Sequence, residues 1–319
     1  PGPGSGKMAT CLSQLYHEHK RGNKVGYAKY ETFPIWNLPL NHPVNIAYEA
    51  ATADLSDVNM IDPWHLAAYG VTTVNYNRDV EIFPVLNTIF EKILGKSPYQ
   101  SPTDMGVNMA GYCISDDDAC KEASYQEIIR RYYKALERER RNNLDPGESE
   151  KILLIMNKCG LTVDDRKVAK VARDEATKQN CPCSAIELPD GTIVKGRTKE
   201  LFGCSASMII KALKTLANID KKTKVISRDA LIPIQELKVK YLGSKNPRLH
   251  IDEALTALSM SAATDENAAN AIAQLKKLKG CDAHTTVLLS HADQKMFRKL
   301  GINLTCEPVF ETKSLTHLS

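Results

Sequence analysis

Apolar residues recur along the first part of the chain with helical period. Met8, Cys11, Leu12, Leu15 and His19 follow i, i+3, i+4, i+7 and i+11, one buried face of a helix that Gly22 ends. Val85, Leu86, Ile89, Phe90 and Ile93 mark a second helix over 84–94. Ile128, Ile129, Tyr132, Tyr133 and Leu136 stripe a long one over 117–143, whose tail Arg138–Arg141 reads as a solvated end. A helix ends near Gly160, and another starts at the box Thr162-x-x-Asp165 and runs to about Lys178. Pro63 suits the first turn of a short helix closed by Gly70. Val25–Tyr30 and Thr72–Tyr76 read as strands.

The texture changes after Asn180. Ala185–Leu188 and Thr192–Val194 flank Pro189-Asp190-Gly191 as a hairpin. Helices are predicted over 205–217, 231–242, 251–262 and 265–279. A strand (285–290), a helix (292–300) and a strand (302–306) close the chain, an alternation that argues for an α/β layer. The boundary is expected at residue 180. The expected architecture is α/β: a Rossmann-like or P-loop-like first domain over 1–180, lacking its N-terminal strands and carrying a helical extension, then a smaller α/β domain over 181–319.

Length and charge narrow the classes. A chain of 319 residues has two domains as its prior. Lys and Arg number 42 against 38 Asp and Glu, an excess of 4, too small to imply a nucleic-acid or membrane partner. No apolar run approaches the roughly 18–20 residues that span a bilayer. Nine cysteines, an odd and scattered number, fit reduced thiols in the cytoplasm.

The candidate chemistry begins at Pro1-Gly2-Pro3-Gly4-Ser5-Gly6-Lys7, a glycine-rich turn running into the first helix. Such a turn can free backbone N–H groups, and the helix adds its positive end; Gly4, Ser5, Gly6 and Lys7 are therefore a candidate phosphate seat. The turn departs from G-x-x-x-x-G-K-[ST], because Met8 stands where a hydroxyl holds Mg²⁺. The alternative is a turn that only starts a helix. The strand that belongs before such a loop is missing, so the chain reads as the later part of a longer protein.

Asp54, Asp57 and Asp62 lie within nine positions. Asp57 and Asp62 could hold Mg²⁺ in place of that hydroxyl, or simply cap turns and helices. Arg78 follows a predicted strand and suits either a phosphate or a neighbouring carboxylate.

In the second half, Arg248 and His250 stand at a helix start beside Asp252 and Glu253. The two acids suit the first helical turn; the imidazole and guanidinium suit acid–base chemistry and anion binding. Ser290-His291-Ala292-Asp293 reads as a capping box, with His291 at a strand's carboxyl end. Gly203–Ser207 is another small-residue turn opening a helix, an N-cap or a second anion nest.

Several longer runs carry a resemblance. Tyr30-Glu31-Thr32-Phe33-Pro34-Ile35-Trp36-Asn37-Leu38-Pro39, Asp57–Pro63, Asn75–Glu81, Thr103–Gly111, Leu242–His250 and Leu300–Thr305 resemble the bacterial domain-of-unknown-function 1846 family, also called uncharacterised protein family 371. The resemblance covers essentially the whole chain. It implies a further N-terminal α/β region and two regions in this chain. It assigns no activity and carries over no catalytic residues.

The residues then point to a cytoplasmic, homo-oligomeric protein that binds ATP, another nucleotide or another phosphorylated small molecule. Gly4–Lys7 and Arg78 would hold the phosphate and Asp57 or Asp62 the Mg²⁺. Phosphoryl transfer or phosphate-ester hydrolysis would use His250 and Arg248. Two alternatives stand beside this: a non-catalytic binding or assembly protein, and a metal-dependent hydrolase using His250, Asp252 and His284.

Overall fold

A computed structural model describes residues 5–29, 34–55, 57–106 and 108–311. By their contacts they form two compact units. One holds residues up to Ile128 together with Lys151–Cys159; the other holds Ile129–Glu150 and everything from Gly160.

The first unit is mostly helical: α1 (Lys7–Lys20), α2 (Pro43–Ala51), β1 (Asn59–Ile61), α3 (Pro63–Tyr69), β2 (Val74–Tyr76), α4 (Asn77–Leu94) and the first half of α5 (Asp117–Asn142), with α6 (Glu148–Lys158) returning to it. Leu15 of α1 packs with Phe83, Leu86 and Phe90 of α4, as the 3.6-residue spacing of both segments requires. Among the described residues the sheet of this unit is one antiparallel pair, β1 with β2. The Rossmann-like or P-loop-like sheet expected here is therefore absent from what is described. The predicted strand Val25–Tyr30 has no ladder over its described residues. Over those residues Tyr27 N–H donates to the Tyr99 hydroxyl and Lys29 N–H to Met105 O.

The second unit is a layered α/β structure. It contains α7 (Lys167–Gln179), β3 (Cys183–Glu187), β4 (Ile193–Arg197), α8 (Cys204–Leu216), α9 (Arg228–Glu236), α10 (Ile251–Ser261), α11 (Glu266–Ile272), β5 (Asp282–Thr285), α12 (His291–Leu300) and β6 (Asn303–Cys306). The contacts place α7, assigned by sequence to the first domain, on β3 and β5 of this unit. The division therefore falls near residue 160 and not at 180.

Strand order is β4-β3-β5-β6. β3 is antiparallel to both β4 and β5, and β5 is parallel to β6. β4, β5 and β6 consequently run the same way, and their carboxyl ends share one edge of the sheet. The helices that follow β4 and β5, namely α8 and α12, start at that edge.

Ile186 and Ala283 of the sheet pack with Met208, Ile209 and Leu213 of α8, Leu258 of α10 and Phe297 of α12. Arg166, 1% exposed, locks the other edge. Its Nε donates to Thr305 Oγ1 (3.0 Å), and its Nη2 donates to Asn303 O (2.8 Å) and Asp282 Oδ1 (3.2 Å).

The contact between β4 and α8 needs a glycine. A Cβ on Gly196 would overlap the Cys204 carbonyl oxygen and the Met208 amide. Gly196→Ala is expected to destabilise the second unit by about 2–3 kcal/mol, because neither backbone group can yield cheaply. A shift of the urea midpoint checks this; an unchanged midpoint contradicts the packing described.

Candidate active site at the carboxyl edge of the second sheet

Three helices begin around one cavity of about 330 Å³. α8 and α12 arrive there because they follow co-directional strands. α10 arrives because the segment ahead of it runs beside the segment ahead of α8. Phe202 and Leu249 form a parallel bridge, and Leu249 N–H donates to Leu201 O (2.8 Å). Ligands in open α/β sheets gather at such a carboxyl edge.

The three helix starts are capped differently. At α12, Ser290 Oγ accepts from Asp293 N–H (3.2 Å). At α10, Ile251 N–H donates to Asp293 Oδ1 (2.9 Å) and His250 N–H to Glu253 Oε2 (2.8 Å). At α8 the N-cap is Gly203, which has no side chain to offer. The first helical bond of α8 is made by Ser207 N–H to Gly203 O, so Cys204, Ser205 and Ala206 present amides that the helix itself does not satisfy. All three residues line the cavity.

Asp293, 7% exposed, ties two of these starts together. Beyond its bond to Ile251, its Oδ2 lies 2.8 Å from His250 Nδ1 and accepts from Ser290 Oγ (3.2 Å). That contact fixes the proton on Nδ1 and leaves Nε2 as the working nitrogen of the imidazole. The Asp293 hydrogen bond holds the His250 pKa above the ordinary histidine value against the opposing effect of burial; Lys238 pulls it down and Glu253 up, both more weakly. Lys238, itself buried, is held by Arg248 O (2.6 Å) and Glu253 Oε2 (2.7 Å).

Two guanidinium groups complete the lining. Arg248 Nη1 lies 3.2 Å from Glu311 Oε1. Arg141 of α5 donates from Nε to Glu137 (2.8 Å) and from Nη2 to Leu289 O (2.7 Å). The apolar wall is Val287, Leu288, Leu289 and Phe310. Cys204 is not a ready nucleophile: burial pushes its thiol up to about 11.

Arg248 and His250, singled out from sequence, thus meet on one cavity together with the Gly203–Ala206 turn and the Ser290–Asp293 box. The other sequence candidates are committed elsewhere. Asp57 is buried and forms a 2.6 Å ion pair with Arg78, so the expected metal ligand and the expected phosphate ligand bind each other. Asp62 caps α3. Its Oδ1 accepts from Trp64 and His65 amides, and its Oδ2 from the Thr103 amide and hydroxyl. An oxygen pair carrying four hydrogen bonds has little left for Mg²⁺.

Ser5, Gly6 and Lys7 are exposed at the head of α1. Gly6 is its N-cap with φ 81°, which glycine adopts without penalty. Gly4 lies outside the described residues. Of the trio His250, Asp252 and His284, only His250 lines the cavity. Asp252 is exposed and caps Glu253 N–H. His284 is fully buried in β5, between Thr305 Oγ1 (2.8 Å) and Glu307 Oε1 (3.2 Å), edge-on to Tyr133. Among the described residues no three His, Cys, Asp or Glu side chains are grouped to hold a metal. None of the described helices is long and apolar enough to cross a membrane.

Sequence reasoning missed Arg141, which its run of basic residues disguised as a solvated tail, and Glu311. It recognised Asp293 only as a cap. The spacing Ser290-x-x-Asp293 was a signal for the cap alone, because the second partner lies 43 positions away.

Comparison with known proteins also places a boundary near residue 160, although its first region includes 129–150. Residues 1–160 match the model described as domain of unknown function DUF1846, N-terminal, and residues 164–316 match its C-terminal counterpart. A UPF0371 protein of Corynebacterium diphtheriae is 59% identical over 315 residues, 99% of this chain and 63% of that protein. A UPF0371 protein of Streptococcus sanguinis is 58% identical over 311 residues, 98% of this chain and 63% of the relative. The chain thus spans under two thirds of the length of the curated relatives it matches.

The His250–Asp293 pair makes stability depend on pH with a definite sign. A histidine whose pKa is raised by folding contributes fully below its unfolded value, about 6.5, and loses that contribution as pH rises through the raised value. Asp293→Asn keeps an acceptor for Ile251 but removes the charge. It should destabilise more at about pH 5.5 than at about pH 9. Urea titrations of both proteins at the two pH values check this; a loss that grows with pH would contradict the pairing.

Proposed function

The chain belongs to the DUF1846 family, and we propose that its second unit binds a phosphorylated small molecule in the cavity at the sheet edge and hydrolyses the phosphate ester. The observation that carries this reading is the meeting of the α8 start, whose capping residue lacks a side chain, with Arg248 and a histidine–aspartate pair on one lining.

Backbone amides at a helix start and a guanidinium fork are the two protein groups best shaped for a phosphate. The residues that open α8 are buried here, which strengthens their attraction for a dianion.

The chemistry follows from His250. Protonated Nε2 donates to the ester oxygen as the P–O bond breaks, while a water oxygen forms the new P–O bond. The products are an alcohol and inorganic phosphate. Asp293 keeps the imidazole oriented and supports its charged form; it acts through His250 and is a positioning residue. Charge that builds on the phosphoryl oxygens meets the amides of Cys204, Ser205 and Ala206 and the free edge of Arg248.

Thermal-shift and calorimetric titrations with inorganic phosphate, read on the whole chain, test the binding. Arg248→Gln should weaken phosphate about tenfold or more. On a chromogenic phosphate monoester, His250→Asn should lower kcat about 10²–10⁴-fold while phosphate affinity changes little. Absence of any stabilisation by phosphate would remove the reading. Binding without turnover would leave an anion-binding module.

A further inference from the structure

The two arginines of the cavity are held in ways that leave different edges unspent. Arg141 uses Nε on Glu137 and Nη2 on Leu289 O; among the described residues its Nη1 has no hydrogen-bond partner, although the side chain is only 13% exposed. Arg248 uses Nη1 on Glu311, and among the described residues its Nε–Nη2 edge has no hydrogen-bond partner. A guanidinium donor on the lining of a cavity, with no protein acceptor, is open to an incoming anion.

The two groups also belong to different parts of the lining. Arg248 precedes α10, beside the start of α8. Arg141 reaches in from α5 and is fastened to the β5–α12 connection at Leu289. The same lining carries an aliphatic wall, Val287, Leu288 and Leu289.

Size and aromatic content bear on the ligand as well. About 330 Å³ lies at the low end of the range for small-molecule sites, roughly 300–1,000 Å³. Among the described lining residues Phe310 is the one Phe, Tyr or Trp, and the Arg140 guanidinium stands over its ring at 5.2 Å. A cavity of this size suits a ligand shorter than a nucleoside triphosphate.

Resting on the phosphate-binding reading above, we infer that the ligand is a short-chain phosphorylated carboxylic acid rather than a nucleoside triphosphate. Its phosphate lies against the start of α8 and the Nε–Nη2 edge of Arg248, and its carboxylate takes Nη1 of Arg141. The aliphatic wall covers the carbon chain between them.

A matched pair of ligands isolates the carboxylate. 3-Phosphoglycerate and glycerol 3-phosphate share three carbons and a phosphate, and differ in a carboxylate against a hydroxymethyl group. Calorimetry on the whole chain should find 3-phosphoglycerate bound about tenfold more tightly than glycerol 3-phosphate, with ATP weaker than both. In Arg141→Gln the preference should vanish while glycerol 3-phosphate keeps its affinity within about twofold.

Equal affinities in the wild type, tighter binding of ATP, or an Arg141→Gln protein that loses both esters alike would overturn the inference. Should Arg141→Gln fail to fold, the wild-type pair and Arg141→Lys, which keeps the charge without the fork, decide it: the lysine variant should lose most of the preference. Binding of inorganic phosphate with no preference for the acid refutes this inference alone. Failure of every phosphate compound removes the reading on which it rests.

Discussion

The buried carboxylate of Asp293 is the constraint on which the candidate site depends. A largely buried carboxylate is tolerable only when its oxygens are well supplied with donors. Here Oδ1 takes the Ile251 amide, and Oδ2 takes His250 Nδ1 and the Ser290 hydroxyl. These donors come from two helix starts that are distant in sequence. Satisfying one charge therefore fixes the start of α10 against the start of α12, and sets which imidazole nitrogen faces the cavity. Local folding and proton chemistry are the same interaction seen twice.

That constraint acts on a frame set by strand direction. Because β3 runs against both its neighbours, β4 points the same way as β5 and β6. One reversal brings α8 and α12 to a common edge. Gly196 lets α8 lie close enough on β4 for the amides of Cys204–Ala206 to reach the cavity. Arg166 closes the other edge with bonds to β5 and β6 residues. Its guanidinium donates to backbone and side-chain acceptors of both strands, so the parallel pair is held as one piece.

The local parts of this arrangement were legible in the sequence; their meeting was not. The β3–β4 hairpin, the helix starts at Gly203 and Ser290, and the residues Arg248 and His250 all follow from turn chemistry and period. The hairpin even carries the reversal that makes β4 and β5 co-directional, yet nothing local says that β5 pairs with β3. The sequence reading also set Arg141 aside, since a cation in a basic helix end is ordinarily solvated. In the first unit, too, partners distant in sequence decide the local structure. Over the described residues of Val25–Tyr30, a tyrosine hydroxyl and the Met105 carbonyl take backbone amides that a neighbouring strand would otherwise serve. The pairing of Asp57 with Arg78 shows the same limit: two residues each suited to a ligand are equally suited to one another.

Two helix starts in this chain share the chemistry of an anion seat, and their surroundings separate them. α1 opens at Gly6 and α8 at Gly203; both capping residues lack a side chain, and neither first turn holds an acid. Of the glycine-rich opening, Ser5, Gly6 and Lys7 are described, and Gly4 lies outside the described residues. The residues that open α8 are buried, and share their cavity with two guanidinium groups and an imidazole held by a carboxylate. The same partial charge attracts an anion far more strongly where water is excluded. The glycine-rich opening at Gly4–Lys7 is the more conspicuous motif in the sequence; the quieter turn at Gly203 is the one that, among the described residues, shares a cavity with guanidinium and imidazole groups.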